Sequence, residues 1–391
     1  MKVLLTSTDN PYITKVGGKH IHLLLLERGL KLLGVQVTTL YYNKKGPREL
    51  FRRYASVLLR EQLRYKVKLE SMINYLEKHI PNQEFDLIHA HDISSLLAMH
   101  SKYQKKVLTV HGYVAKENLE FLKNVKEKAK NEIYNTLLTL EREGVRKADY
   151  IITVDNRLKT YIVSELKYPK NRITVVYNAI DTNCFQPVSD KNHKELKKVL
   201  GYHEKDFVIL VPRRLVRKNG VIYAVRAMKH IKRQNVKMII AGEGPEKRTL
   251  VREAQNDQRI HFAGTIPHTK IDFHYKLADV ILIPSITSNG VQEATSLAML
   301  EGMSCGKIVI CSSVGGMREI VKNMENGILV EEKNPIAIAK ATENVLEDSN
   351  LRTEITNKAR AYTLQNHSFI SHAKKIIQIY KSLLDEKCLS P

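Results

Sequence analysis

Short apolar runs bounded by turn residues alternate with longer amphipathic stretches along the chain, the pattern of a parallel sheet covered on both faces by helices. Val3–Leu5 leads into a loop and then an apolar helix from about Lys19 to Leu33. Val35–Tyr41, Asp86–Ala90, Lys106–Thr109, Tyr150–Val154 and Ile173–Val176 read as the following strands. A polar stretch from Asp181 to Asn192 interrupts the alternation, which restarts at Val208–Val211. It continues through Lys237–Ala241, Ile260–Phe262, Val280–Ile283, Ile308–Cys311 and Ile328–Val330. The pattern predicts two doubly wound α/β domains, residues 1–182 and 183–364. A last apolar stripe, Ala373, Ile376, Ile377, Tyr380, Leu383 and Leu384, predicts a helix within 365–391 that returns to the first domain. Two such domains face each other across a cleft, and folds of this class bind ligands at strand carboxyl ends.

Length agrees, because 391 residues exceed one ordinary core. Charge narrows the partners: 63 Lys and Arg against 41 Asp and Glu give a net +22, which suits an anionic ligand or surface. A nucleic-acid binder ranks low, since the chain lacks zinc spacing, aromatics interleaved on a strand platform and a recognition motif. Cys184, Cys305, Cys311 and Cys388 show no CxxC pairing, so reduced thiols in a cytoplasmic protein are expected and no metal site. The opening apolar run is too short for a secretory signal and no later run has membrane-spanning length. Membrane contact is therefore expected to be peripheral, at the inner face. Segment 44–68 carries nine Lys or Arg against two Glu, with Leu50, Phe51, Tyr54, Val57 and Leu58 at helical spacing. Such a helix either lies on anionic lipid or packs its stripe on the domain.

The candidate chemistry follows the strand ending at Ile283. A loop, Pro284-Ser-Ile-Thr-Ser-Asn-Gly290, precedes a helix expected to begin between Ala294 and Ser296 and to end at Gly306. Glu293 would sit at its mouth and Glu301 inside it. The amides of Ala294, Thr295 and Ser296 would face a phosphate, with Glu293 accepting from sugar hydroxyls and Glu301 from a ribose diol. Upstream, Arg213-Arg-Leu-Val-Arg-Lys-Asn-Gly220 places cations between a strand and a helix. Gly17-Gly18 before the first helix allows close backbone approach. His111 lies at a strand's carboxyl end, where reactive groups collect. Asp86-Leu-Ile-His-Ala-His-Asp92 is a second polar cluster, in which His89 and His91 share a face without a third metal ligand.

Glu293 to Gly306, with its Glu-x7-Glu spacing and Glu-Gly-Met-Ser-Cys-Gly ending, resembles the donor segment of the retaining family 4 glycosyltransferases. The resemblance extends over nearly the whole chain. It implies the GT-B fold of two facing Rossmann-like domains and a retaining, metal-independent transfer from a nucleoside-diphosphate sugar, with uridine the base expected from family frequency. A glycan or lipid-linked cell-envelope acceptor is implied, with no cofactor beyond the co-substrate. A GT-B sugar-nucleotide epimerase is the alternative within the fold. Carried over residue by residue, Arg214 and Lys218 match the family's Arg-Leu-x-x-x-Lys-Gly cations, with Asn219 standing where the lysine usually falls. His111 matches a Thr-x-His-Gly segment that contacts the donor sugar, and Gly17 and Gly18 face donor phosphate or acceptor. Gly242 and Glu243, together with Val314 to Glu319, match segments lining the nucleotide pocket. Tyr177 to Asp181 matches a segment near the interdomain link, with Ala179 in place of the common glycine. Ala294-Thr295-Ser296 replaces the frequent Gly-Phe-Gly, so the donor sugar is the least defined part of the match.

Overall fold

The structure is a computed structural model that describes residues 1–13, 17–43, 61–99, 104–119 and 127–388. Most of the basic segment 44–68 lies outside the described residues. Among those described, no helix is long and apolar enough to cross a membrane.

Every expected strand forms. The first unit contains β1 (Lys2–Ser7), β2 (Gln36–Tyr41), β3 (Leu87–Ala90), β4 (Lys105–Val110), β5 (Tyr150–Thr153) and β6 (Ile173–Val175). These make one parallel sheet in the order β2-β1-β3-β4-β5-β6. The second contains β7 (Phe207–Pro212), β8 (Val236–Ala241), β9 (Ile260–Gly264), β10 (Val280–Ile283), β11 (Ile308–Ser312) and β12 (Ile328–Val330). They form a second parallel sheet in the order β12-β11-β10-β7-β8-β9. Both are doubly wound. Near-continuous apolar strands such as Val280–Ile283 are buried along their length, as two helix layers require.

In each sheet the winding reverses once, between β1 and β3 in the first and between β7 and β10 in the second. Loops leaving neighbouring strands at such a point diverge and leave a crevice at the carboxyl edge. The residues after β7 and β10 include Arg213, Lys218 and Glu293, so topology alone brings the donor candidates of this unit together.

The compact units are Met1–Tyr177 with His372–Pro391, and Asn178–Ser371. The chain thus changes unit at Asn178, earlier than the polar stretch after Asp181 suggests. Phe185 explains the difference: its ring is buried against Tyr275, 5.3 Å between centroids. Arg360 also donates to the carbonyls of Thr182 and Phe185 at 3.2 and 2.9 Å. Polar composition hid a segment anchored by one aromatic. The last helix, Phe369–Cys388, begins in the second unit and continues in the first. There Ala373, Ile376, Tyr380 and Leu383 join Val3, Leu5, Leu26 and Ile152 in one core.

Candidate active site

In the second unit, Arg213 emerges from β7 with its side chain buried. Its Nη2 donates to Asn219 Oδ1 at 2.8 Å and Ser285 Oγ at 3.0 Å, and its Nη1 to Ser296 Oγ at 3.2 Å. The same guanidinium forms an ion pair with Glu293, which also accepts from the Ser285 hydroxyl. Burial alone would raise the Glu293 pKa. The charge of Arg213, the bonds from Ser285 and Arg213, and the positive potential of Lys218 overcome that and hold it below the usual glutamate value. Glu293 is therefore a fixed anion, oriented from behind.

The surrounding loops are locked to each other by backbone contacts. Ile286 N donates to Lys218 O at 2.8 Å, and Asn219 Nδ2 to Arg214 O at 2.7 Å. Gly220 is left-handed, φ 62°, and a Cβ there would lie 1.9 Å from the Pro284 carbonyl oxygen. Gly242, after β8, would put its Cβ 2.0 Å from the Arg213 carbonyl oxygen. Leu215 N reaches Glu243 O at 2.9 Å, while the exposed Glu243 carboxylate pairs with Lys247 at 2.6 Å.

The arginine joined to Glu293 is Arg213, a residue the sequence did not single out, while the Arg214 side chain is exposed; consecutive residues leaving a strand turn to opposite sides. One expectation changes here. The helix after Glu293 spans Leu297–Ser304, starting later than expected. Asn178 Nδ2 bonding Thr295 O at 3.2 Å, Arg213 bonding Ser296 and Gly316 N bonding Glu293 O at 3.1 Å keep 293–296 out of the helix. The free amides at the helix mouth accordingly belong to Leu297, Ala298 and Met299 rather than to Ala294, Thr295 and Ser296. Glu301 is buried within that helix and takes a hydrogen bond from the buried Tyr275 hydroxyl. Gly315 N donates to Gln292 Oε1 at 3.2 Å, which ties the loop after β11 to the residue before Glu293.

In the first unit, Gly17 adopts φ 107° and opens the Gly18–Leu32 helix. Lys19 bridges Asp9 at 3.0 Å and Asp92 at 2.8 Å. Asp92 also accepts from Ser7 Oγ, Thr8 N and Ser95 N. Burial opposes its charge, but Lys19 and these donors prevail and hold the pKa at about 2, below the ordinary 3.8. A depressed folded-state pKa adds stability above about pH 4 that is lost as the pH falls toward 2. Lys19→Met should cost about 2 kcal/mol at pH 7, with the gap to the parent narrowing below pH 4; urea midpoints between pH 7 and pH 3 measure it.

His111 follows β4 and His91 follows β3, 3.2 Å apart between Nε2 and Nδ1. Burial first, then neighbouring positive charge, lowers the pKa of His111 to about 3 and of His91 well below 6.5. Both are neutral imidazoles at physiological pH. His89 bonds Tyr380 Oη at 2.6 Å and Thr109 Oγ1 at 2.7 Å, and Asp92 caps the Ile93–Leu97 helix, so neither joins His91 in a metal cluster.

Residues 16–183 match the family model described as Glycosyltransferase Family 4, and residues 192–362 the one described as Glycosyl transferases group 1. The chain belongs to the family 4 glycosyltransferases. It is 32% identical to an uncharacterized glycosyltransferase of Methanocaldococcus jannaschii, a match that spans 60% of either chain. It is 24% identical to the Escherichia coli UDP-Gal:alpha-D-GlcNAc-diphosphoundecaprenol alpha-1,3-galactosyltransferase, over 82% of this chain and 81% of that one. Its fold matches sucrose-phosphate synthase from Thermosynechococcus elongatus with a TM-score of 0.79 at 20% identity, covering 98% and 99% of the two chains.

Proposed function

We propose that this family 4 glycosyltransferase moves a hexose or N-acetylhexosamine from a uridine-diphosphate sugar to a glycan or lipid-linked envelope acceptor, with retention at the anomeric carbon. The observation that carries the reading is the buried Arg213–Glu293 pair at the winding reversal of the second sheet, beside Lys218. A departing nucleoside diphosphate gains negative charge while the anomeric carbon becomes electron-poor, and preorganised charges stabilise both at little reorganisation cost. Lys218 and the rim residue Arg214, with the helix amides from Leu297 onward, meet the diphosphate. No metal ion is called for at the leaving group. Glu293, fixed by Arg213 and Ser285, accepts hydrogen bonds from sugar hydroxyls. Glu301, steered by Tyr275, faces the ribose, Gly242 and Glu243 border the nucleotide, and His111 and Gly17-Gly18 keep their donor assignments. No protein nucleophile is assigned, because the leaving phosphate can itself take the acceptor proton on the same face.

The lipid-linked substrate named for the galactosyltransferase relative and the net charge of +22 support work at the cytoplasmic face of a membrane. Incubation with UDP-, GDP- and ADP-sugars, with and without lipid-linked acceptors, tests the reading. Nucleoside diphosphate release from a UDP-sugar that rises with acceptor is expected. Conversion of the donor to an isomer without acceptor would indicate an epimerase instead.

A further inference from the structure

The first unit gathers five imidazoles near the carboxyl ends of β3 and β4: His22 from the Gly18–Leu32 helix, His89, His91, His111, and His372 from the last helix. Two are committed to protein groups. His89 bonds Tyr380 and Thr109, and His372 donates through Nδ1 to the Tyr177 carbonyl at 3.1 Å.

His22, His91 and His111 each offer a ring nitrogen such that all three nitrogens lie within 4.8 Å of one another. Their ring centroids form a triangle with sides of 5.4, 4.7 and 5.5 Å. Three imidazoles bound to one tetrahedral ion, with metal–nitrogen distances of about 2.0–2.1 Å, hold their centroids roughly 5 Å apart. The rings therefore already stand at ligand spacing, and drawing the nitrogens to edges of about 3.3 Å takes a shift of under about 1 Å per ring. His91 adds an independent observation. It is 1% exposed, and its Nε2 is buried with no hydrogen-bond partner among the described residues, although its Nδ1 meets His111. A buried imidazole nitrogen left without a partner is uncommon, so the described residues do not satisfy all the polar atoms of this cluster.

The donor set also discriminates between metals. Three neutral nitrogens without a carboxylate or thiolate suit zinc, cobalt or nickel and not the oxygen-seeking magnesium or calcium. Asp92, whose charge acts on His111, is taken by Lys19 and by backbone and hydroxyl donors.

We propose that His22, His91 and His111 bind one divalent transition ion of the zinc class, with the fourth position left to water or a ligand oxygen. The site departs from the expectation of a chain without metal, and it does not rest on the donor reading. An ion on one ring nitrogen of His111 leaves the other as a fixed N–H donor, so the ion sets the tautomer of that ring.

The test uses the full chain without a histidine tag, stripped with chelator and titrated with Co2+ while the visible ligand-field spectrum is followed. One equivalent should give a tetrahedral cobalt spectrum that Zn2+ then removes. His22→Gln and His91→Gln should each weaken binding at least tenfold, and His79→Gln, an exposed ring stacked on Tyr75, should leave it unchanged. Zn2+ should also raise the thermal midpoint of the parent and not of His22→Gln. Absence of stoichiometric Co2+ binding by the parent overturns the proposal without recourse to any variant. Binding by His22→Gln and His91→Gln equal to that of the parent overturns it as well.

Discussion

Glu293→Ala and Arg213→Ala should each lower sugar transfer by about a hundredfold or more, with Arg214→Ala affecting it less. The two large losses arise differently. Removing Glu293 takes away the group assigned to the sugar, and Arg213 keeps Asn219, Ser285 and Ser296 as partners. Removing Arg213 leaves a buried carboxylate without its cation, which costs about 3–5 kcal/mol in comparable buried pairs. Arg213→Ala should therefore lose stability as well as activity. Arg213→Lys should recover little of either, because one ammonium cannot span the directions occupied by two terminal guanidinium nitrogens. Initial rates with the preferred donor, alongside urea unfolding of each variant, separate these outcomes. Equal activity losses for Arg213→Ala and Arg214→Ala would remove the distinction between the two arginines.

Gly220→Ala should be among the most damaging single-methyl additions in the second unit. Its φ of 62° disfavours any L side chain, and the added carbon would meet the Pro284 carbonyl oxygen at 1.9 Å. The carbonyl belongs to the backbone after β10 and cannot move without carrying Ser285 and the approach to Glu293 with it. The left-handed penalty and the clash together predict a loss of about 4 kcal/mol, with transfer activity falling in step. Gly201→Ala is the matched control. Gly201 has φ 80° with nothing within 4 Å of the added carbon, so only the conformational penalty of about 1–2 kcal/mol applies. Urea midpoints for the pair should differ clearly; equal midpoints would mean that the loops after β7 and β10 are not pinned together at Gly220.

The fold was legible because its signal is local. Apolar runs such as Val280–Ile283 and Ile328–Val330 announce buried parallel strands, and their observed bounds agree with the sequence. The location of the site was legible for a related reason, since Glu293 and Arg213 both follow predicted strands and parallel sheets place such residues at one edge. What remained hidden depends on contacts distant in sequence. That Arg213 is the partner of Glu293 depends on which of two neighbours turns inward at the end of β7. The late start of the Leu297–Ser304 helix depends on Asn178 and Gly316, 117 and 23 residues from the atoms they hold in the case of the Asn178–Thr295 bond and of the Gly316–Glu293 contact respectively. The early change of unit depends on Phe185 finding Tyr275. The histidine triad draws on a helix and two strand ends, and no spacing rule for metal ligands joins His22, His91 and His111.

The central claim is that the edge of the second unit built around the Arg213–Glu293 pair receives a sugar nucleotide, with Lys218 and Arg214 on its diphosphate. Calorimetric titration of the full chain with uridine, guanosine and adenosine diphosphates tests it most directly. Saturable binding of the uridine nucleotide at one site per chain is predicted, weakened at least tenfold in Lys218→Ala and in Arg214→Ala. Failure of all three nucleotides to bind, or binding of equal strength in the parent and both variants, would contradict it.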